Sequence, residues 1–168
     1  FVIARGSSFR FRGPDVDPLS AGRQLGVRYG LTGTVELAGE SVTIGVSLID
    51  MTSSGTIWAE HYRGSLSELQ QLRPEIESHV VASLAVQIPQ NEVRIARRRA
   101  PGELDAWACF HLGLDHMYRF NRQDNARASE LFTRSLERDP YFSGAMGGLS
   151  FTHFQSAFMR FAEDPAAE

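Results

Sequence analysis

Residues 113–140 read GLDHMYRFNRQDNARASELFTRSLERDP, and the reading of this stretch decides the architecture of the chain. Gly113, with Leu112 before it, suits a close helix approach. Ala128, Phe132 and Ser135 alternate small, aromatic and small at helical spacing, and Pro140 closes the run. The turn FNRQDNA divides the two halves, with Asp124 as the expected helix cap. The stretch is one helical hairpin. A single hairpin cannot bury its apolar face alone, so it implies neighbours.

One neighbour follows directly. A second helix of the same kind is expected from near Ser143, carrying Ala145, Leu149 and Phe151, with its own partner helix outside the sequence. On these helices the partner-facing positions fall on Trp107, Phe110, Leu114, Met117 and Tyr118. In the second they fall on Phe151 and Phe154, with Phe158 and Phe161 continuing the helix. Trp107 and Phe110 are expected to pack against the helix of residues 76–88. The four later phenylalanines would form an exposed apolar patch, which marks an interface. The expected partner is a protein segment or a second copy of the chain, giving a homodimer.

Upstream, the periodicity changes. Asp17 caps a helix that has Pro18 in its first position, Leu19 to Leu25 in its body and Gly26 at its stop. Tyr29, Leu31, Gly33, Val35 and Leu37 alternate with polar or small residues, as do Val42, Ile44, Val46 and Leu48. AGES (residues 38–41) and TSSG (residues 52–55) supply tight turns, and Ile57 to Tyr62 makes a further strand. Such short connections argue an antiparallel meander. Residues 1–4, an apolar run, are expected to add a strand and one crossover helix. The fold class is α+β: a small, mainly antiparallel sheet with one crossover helix, then connecting helices, then an α-helical repeat region. The expected divisions are residues 1–64, 65–100 and 101–168.

Between sheet and hairpin, Leu69, Leu72, Ile76, Val80, Leu84 and Ile88 form one helix face. Pro74 is expected to break that helix and Pro89 to end it. Arg94, Arg97, Arg98 and Arg99 follow; with no interleaved aromatics, they read as a solvated helix end paired with acids.

GVRYGLTGTVELAGESVTIGVSLIDMTSSGTIWAEHYRGSLSELQQL (residues 26–72) resembles the amino-terminal α/β module of the TolB family. The matching pieces are Gly26-Val27-Arg28-Tyr29, Gly33, Leu48-Ile49-Asp50, Gly55 and Trp58-Ala59-Glu60. Relatives usually carry aspartate where this chain has Pro74. The 113–140 pattern is similar to a tetratricopeptide repeat. That order of modules implies the region that follows either the DNA-binding domain of a winged-helix transcriptional regulator or the catalytic domain of a class III adenylate or guanylate cyclase in bacteria. The resemblance thus implies a non-catalytic regulatory and protein-interaction region, first of a transcriptional regulator and alternatively of a cyclase. A third reading is a small-molecule sensor with its pocket between the sheet and the helix of residues 74–88.

Composition narrows the chemistry. All 17 basic residues are arginine, which removes a Schiff-base lysine and a P-loop lysine. A net charge of −3 leaves no electrostatic footprint for direct nucleic-acid binding. The single cysteine, Cys109, excludes an intrachain disulfide and a thiolate metal cluster, and favours a reducing, cytoplasmic compartment. No apolar run is long enough to span a bilayer, so no membrane partner is expected. His111, Asp115 and neighbouring His116 share a helix but read as surface polar residues rather than metal ligands. His153 reads as a helix-packing residue, His79 as one on a polar helix face, and Cys109 as a buried hydrophobe. No catalytic, cofactor or metal residues are expected. The opening on Phe1 and the stop inside a helical pattern suggest a piece of a larger protein.

Overall fold

The computed structural model describes residues 2–13 and 16–161. It contains two compact units, Phe1–Gln87 and Ile88–Glu168. No helix among the described residues is long and apolar enough to cross a membrane.

The first unit opens with a single helical turn, α1 (Arg5–Ser8), followed by α2 (Pro18–Leu25). Asp17 accepts from the backbone N–H groups of Leu19 and Ser20 at 3.2 and 2.9 Å, and Gly26 ends the helix in the left-handed region (φ 64°). Both termini of α2 therefore follow from the Asp-Pro start and the glycine stop. Strands β1 (Tyr29–Ala38), β2 (Ser41–Asp50) and β3 (Gly55–Ser65) form an antiparallel sheet in the order β1-β2-β3. Its register runs from Tyr29 opposite Asp50 to Ala38 opposite Ser41, and from Ser41 opposite Ser65 to Asp50 opposite Gly55, with one irregularity at Leu48/Ile49. Gly39 turns the first hairpin with φ 61°. Asp50 fastens the second by accepting from Thr52 N at 2.9 Å and from its hydroxyl at 2.5 Å.

The crossover expected from residues 1–4 does not form. Val2, Ile3 and Ala4 lie outside any strand, Val2 is 91% exposed, and Phe1 lies outside the described residues. An apolar run this short gains too little to offset the ordering cost of a non-local pairing. Facing residues in register share one side of the sheet. Val42, Val46 and Leu48 of β2 are buried there, beside Trp58, Glu60 and Tyr62 of β3. Leu31, Val35 and Leu37 of β1 lie on the same side but remain 50, 66 and 64% exposed.

Helix α3 (Leu69–Ala96) runs unbroken through Pro74 and Pro89. Each proline forfeits one backbone hydrogen bond. Past Pro74 the apolar stripe continues through Ile76, Val80 and Leu84, and past Pro89 Asn91, Glu92 and Ala96 are buried, so burial holds the helix where local propensity would end it. A Cβ on Gly64 would overlap Leu72, and Tyr62 Oη lies 3.2 Å from His79 Nδ1. Gly64 and Tyr62 of β3 thus meet Leu72 and His79 of α3. The unit boundary falls between Gln87 and Ile88, just before Pro89.

In the second unit α4 (Ala106–Met117), α5 (Arg122–Arg138) and α6 (Ser143–Phe158) are joined by short turns. Phe132 of α5 is fully buried and sits between two glycines, Gly113 of α4 and Gly148 of α6. Added Cβ atoms there would lie 2.6 and 2.5 Å from its ring. Met117, Ala128 and Ala145 complete this core, while Ala96, Leu104, Ala108 and Cys109 form a second. Asn121, not Asp124, caps α5: its side chain accepts from Asp124 N at 2.9 Å. The α4–α5 turn ends earlier than expected because Phe120 takes a left-handed conformation (φ 51°), which places Asn121 at the cap and Asp124 inside the first turn.

Candidate interaction surface

Polar side chains clasp the three helices at buried positions. Ser135 Oγ donates to Ala106 O at 2.7 Å, tying the end of α5 to the start of α4. Asn125 Nδ2 donates to Thr152 O at 3.1 Å and to Ser156 Oγ at 2.8 Å, tying the start of α5 to α6. Gln155 Nε2 reaches the terminal carbonyl of α4, Met117 O, at 3.3 Å. Sequence reading does not single out Asn125 or Gln155; their signal is a polar residue at core spacing, Asn125 before Ala128 and Gln155 after Gly148 and Thr152.

The residues expected to face a partner divide into three sets. Met117 is core, and Phe110 and Leu114 pack half-buried around it. Trp107 is 41% exposed and lies nearly parallel to Phe142, centroids 5.9 Å apart, with His111 edge-on at 4.4 Å. Phe110 approaches Phe142 at 4.8 Å and Phe132 at 6.0 Å. Within this unit Trp107 and Phe110 find aromatic neighbours in each other, in His111 and in Phe142 at the head of α6. Tyr118 is 64% exposed.

Phe151, Phe154 and Phe158 form the third set: a row along α6, with centroids 5.8 and 5.5 Å apart and exposures of 38, 57 and 73%. Phe161 does not continue it. The helix stops at Phe158, Arg160 takes φ 54°, and Phe161 N donates back to Ser156 O at 2.9 Å. Phe161 instead lines a groove of about 350 Å³ with Arg122, Asn125, Ser129 and His153. His153 is exposed rather than packed, because the buried stripe of α6 runs through Ala145, Gly148, Thr152 and Gln155.

Titratable groups are engaged in structure. Asp115 accepts from Arg97 and Arg119, each at 2.7 Å, and Arg99 lies 3.3 Å from Asp105. Asp124 accepts from Asn121 at 2.6 Å and Arg119 at 3.1 Å, and lies 2.5 Å from His116 Nδ1. The Asn121 amide, then His116 and Arg119, hold the Asp124 carboxyl below the usual aspartate range. His111 is buried beneath Trp107 and not at the surface, since its place on α4 faces the aromatic cluster. His111, Asp115 and His116 therefore diverge, and no group of three His, Cys, Asp or Glu able to hold a metal occurs among the described residues. Cys109 is fully buried, and burial raises its pKa above the usual thiol range.

No family model matches the chain. It is 34% identical over 152 residues to a protein of Rhizobium meliloti (strain 1021) named "Putative adenylate cyclase 3". The alignment takes in 89% of this chain but only 26% of that protein, so the chain spans about a quarter of its relative's length.

Proposed function

We propose that this chain is a non-catalytic regulatory and protein-interaction region of a larger signalling protein related to adenylate cyclases. The observation that carries the reading is the alignment: nearly all of this chain corresponds to about a quarter of a protein named as a cyclase. That name favours the cyclase parent over the winged-helix parent. In this reading residues 1–64 form a TolB-like module, residues 65–100 connect, and residues 101–168 are tetratricopeptide-like helices. Support for the last comes from Gly113, Phe132 and Gly148, where small residues on α4 and α6 admit one aromatic ring of α5. Trp107, Tyr118, Phe151, Phe154 and Phe158 supply the docking surface, as exposed aromatics do at interfaces. Asp115, His116 and Asp124 serve ion pairs, with Arg97 and Arg119 as the cations.

The test is cyclic-nucleotide formation by the 168-residue chain and by the longer protein containing it, with and without this region. The expected result is no turnover by the chain alone and altered output of the longer protein on deletion. Turnover by the chain alone, or unchanged output after deletion, overturns the reading.

A further inference from the structure

Helix α6 contains no Asp, Glu, Lys or Arg over its 16 residues; His153 is its one titratable side chain. Its buried stripe faces α4 and α5. A second stripe, well round the helix from the first, carries Ser143, Gly147, Ser150, Phe151, Phe154 and Phe158, all exposed. The amino-terminal half of this stripe is small and the carboxy-terminal half is large. At Gly147 an added Cβ would meet nothing within 4 Å, so the recess there is open.

Such a stripe complements itself under a two-fold axis. If two copies of α6 pair antiparallel about the Ser150–Phe151 peptide, Phe154 of one faces Gly147 of the other. Phe158 then faces Ser143, and Phe151 faces Ser150. Every ring meets a small residue, every small residue meets a ring, and no charge is buried. An isologous two-fold contact needs this kind of self-complementarity, whereas a partner of different sequence does not.

We infer that the exposed stripe of α6 is a homodimer interface, with a second copy of this chain as its occupant. The inference rests on the reading of this region as an interaction surface and names the partner. Sedimentation equilibrium of the 168-residue chain across the micromolar range is expected to show a reversible monomer–dimer transition. Gly147→Phe fills the recess and Phe154→Ala removes the ring that occupies it; each alone is expected to weaken association about tenfold or more. Both positions are exposed, and far-UV circular dichroism verifies that each variant folds. The decisive sample is a mixture of the two variants. In the mixed dimer the ring introduced at position 147 of one copy faces the methyl group left at position 154 of the other. The native Phe154 of the first copy meets the native Gly147 of the second, so association returns toward the wild-type value.

A chain that stays monomeric at every concentration overturns the inference, as does a dimer indifferent to both variants or a mixture without rescue. A longer polypeptide that remains monomeric while the 168-residue chain pairs also overturns it, since its own next segment then covers the stripe. All of these outcomes leave the regulatory reading intact, because that reading is tested by cyclic-nucleotide output.

Discussion

Replacing Gly113 by alanine is expected to destabilise the second unit, although glycine to alanine inside a helix ordinarily stabilises by about 0.5–1 kcal/mol. The cause is Phe132. A Cβ at Gly113 would lie 2.6, 2.8 and 3.0 Å from three atoms of that ring, well inside the roughly 3.5–4.0 Å optimum for carbon contacts. The ring cannot slide away, because Gly148 approaches it so closely that a Cβ there would lie at 2.5 to 2.8 Å. Overpacking of this kind costs about 1–3 kcal/mol. Set against the helix gain, a net loss of about 1–2 kcal/mol is expected. The control is Gly147→Ala on α6, measured at submicromolar concentration where the chain is unpaired, so that the added methyl meets nothing and should stabilise by about 0.5–1 kcal/mol. Urea unfolding followed by Trp107 fluorescence, in a Trp58→Phe background, reports on this unit alone. In a Phe132→Leu background the cost of Gly113→Ala should shrink, giving a coupling energy in the double-mutant cycle. If Gly113→Ala stabilises as much as Gly147→Ala does, the clasped-ring account of the hairpin fails.

Three further outcomes are expected. Asp124→Asn should lower the thermal midpoint in a pH-dependent way. The folded carboxyl titrates below its unfolded value of about 3.9, so its contribution is complete above that value and disappears as pH falls through the folded one. The gap between melts of the two proteins should therefore be constant from pH 7 to about 4 and narrow below it; a gap that does not narrow on further acidification refutes the assignment. Cys109 should react with a thiol reagent at neutral pH only after unfolding, because it is fully buried and its pKa is raised; rapid labelling of the native chain contradicts this. Pro74→Ala should stabilise α3 by up to about 3 kcal/mol, since it restores a backbone donor inside a continuous helix. A loss of stability would mean that the helix needs the proline's fixed geometry.

The elements legible in the sequence are those whose signals are local. Asp17, Pro18 and Gly26 mark both ends of α2, and the alternation from Tyr29 to Leu48 marks a two-strand hairpin. Gly113, Phe132 and Ser135 mark the α4–α5 contact. Where the outcome depends on tertiary context, local rules mislead. Pro74 and Pro89 read as breaks, yet the apolar face continues past Pro74 to Ile88, and beyond Pro89 the helix goes on with Asn91, Glu92 and Ala96 buried. Residues 1–4 read as a strand, but nothing in the run itself shows whether an edge is there to receive it. The phenylalanine row is legible because helical spacing aligns Phe151, Phe154 and Phe158. Phe161 fits the same spacing but lies beyond Arg160, whose left-handed backbone lacks the glycine that would have announced it. The Trp107–Phe142 stack is not legible, because Phe142 is the residue capping α6 and belongs to no periodic run.

The magnitudes limit how tight an α6 dimer can be. Phe151, Phe154 and Phe158 are 38, 57 and 73% exposed, so covering them removes from water less than two full phenylalanine side chains per copy. At about 1.5–3 kcal/mol per fully buried side chain, two copies gain on the order of 5–10 kcal/mol. Association itself costs about 4–15 kcal/mol in lost translational and rotational freedom. These rings alone therefore support at best about 6 kcal/mol, a contact of tens of micromolar. A pairing that persists at nanomolar concentration would require a second contributor. The exposed Leu31, Val35 and Leu37 of β1 would be the first to examine, by asking whether a charged substitution at Val35 loosens what Phe154→Ala leaves intact.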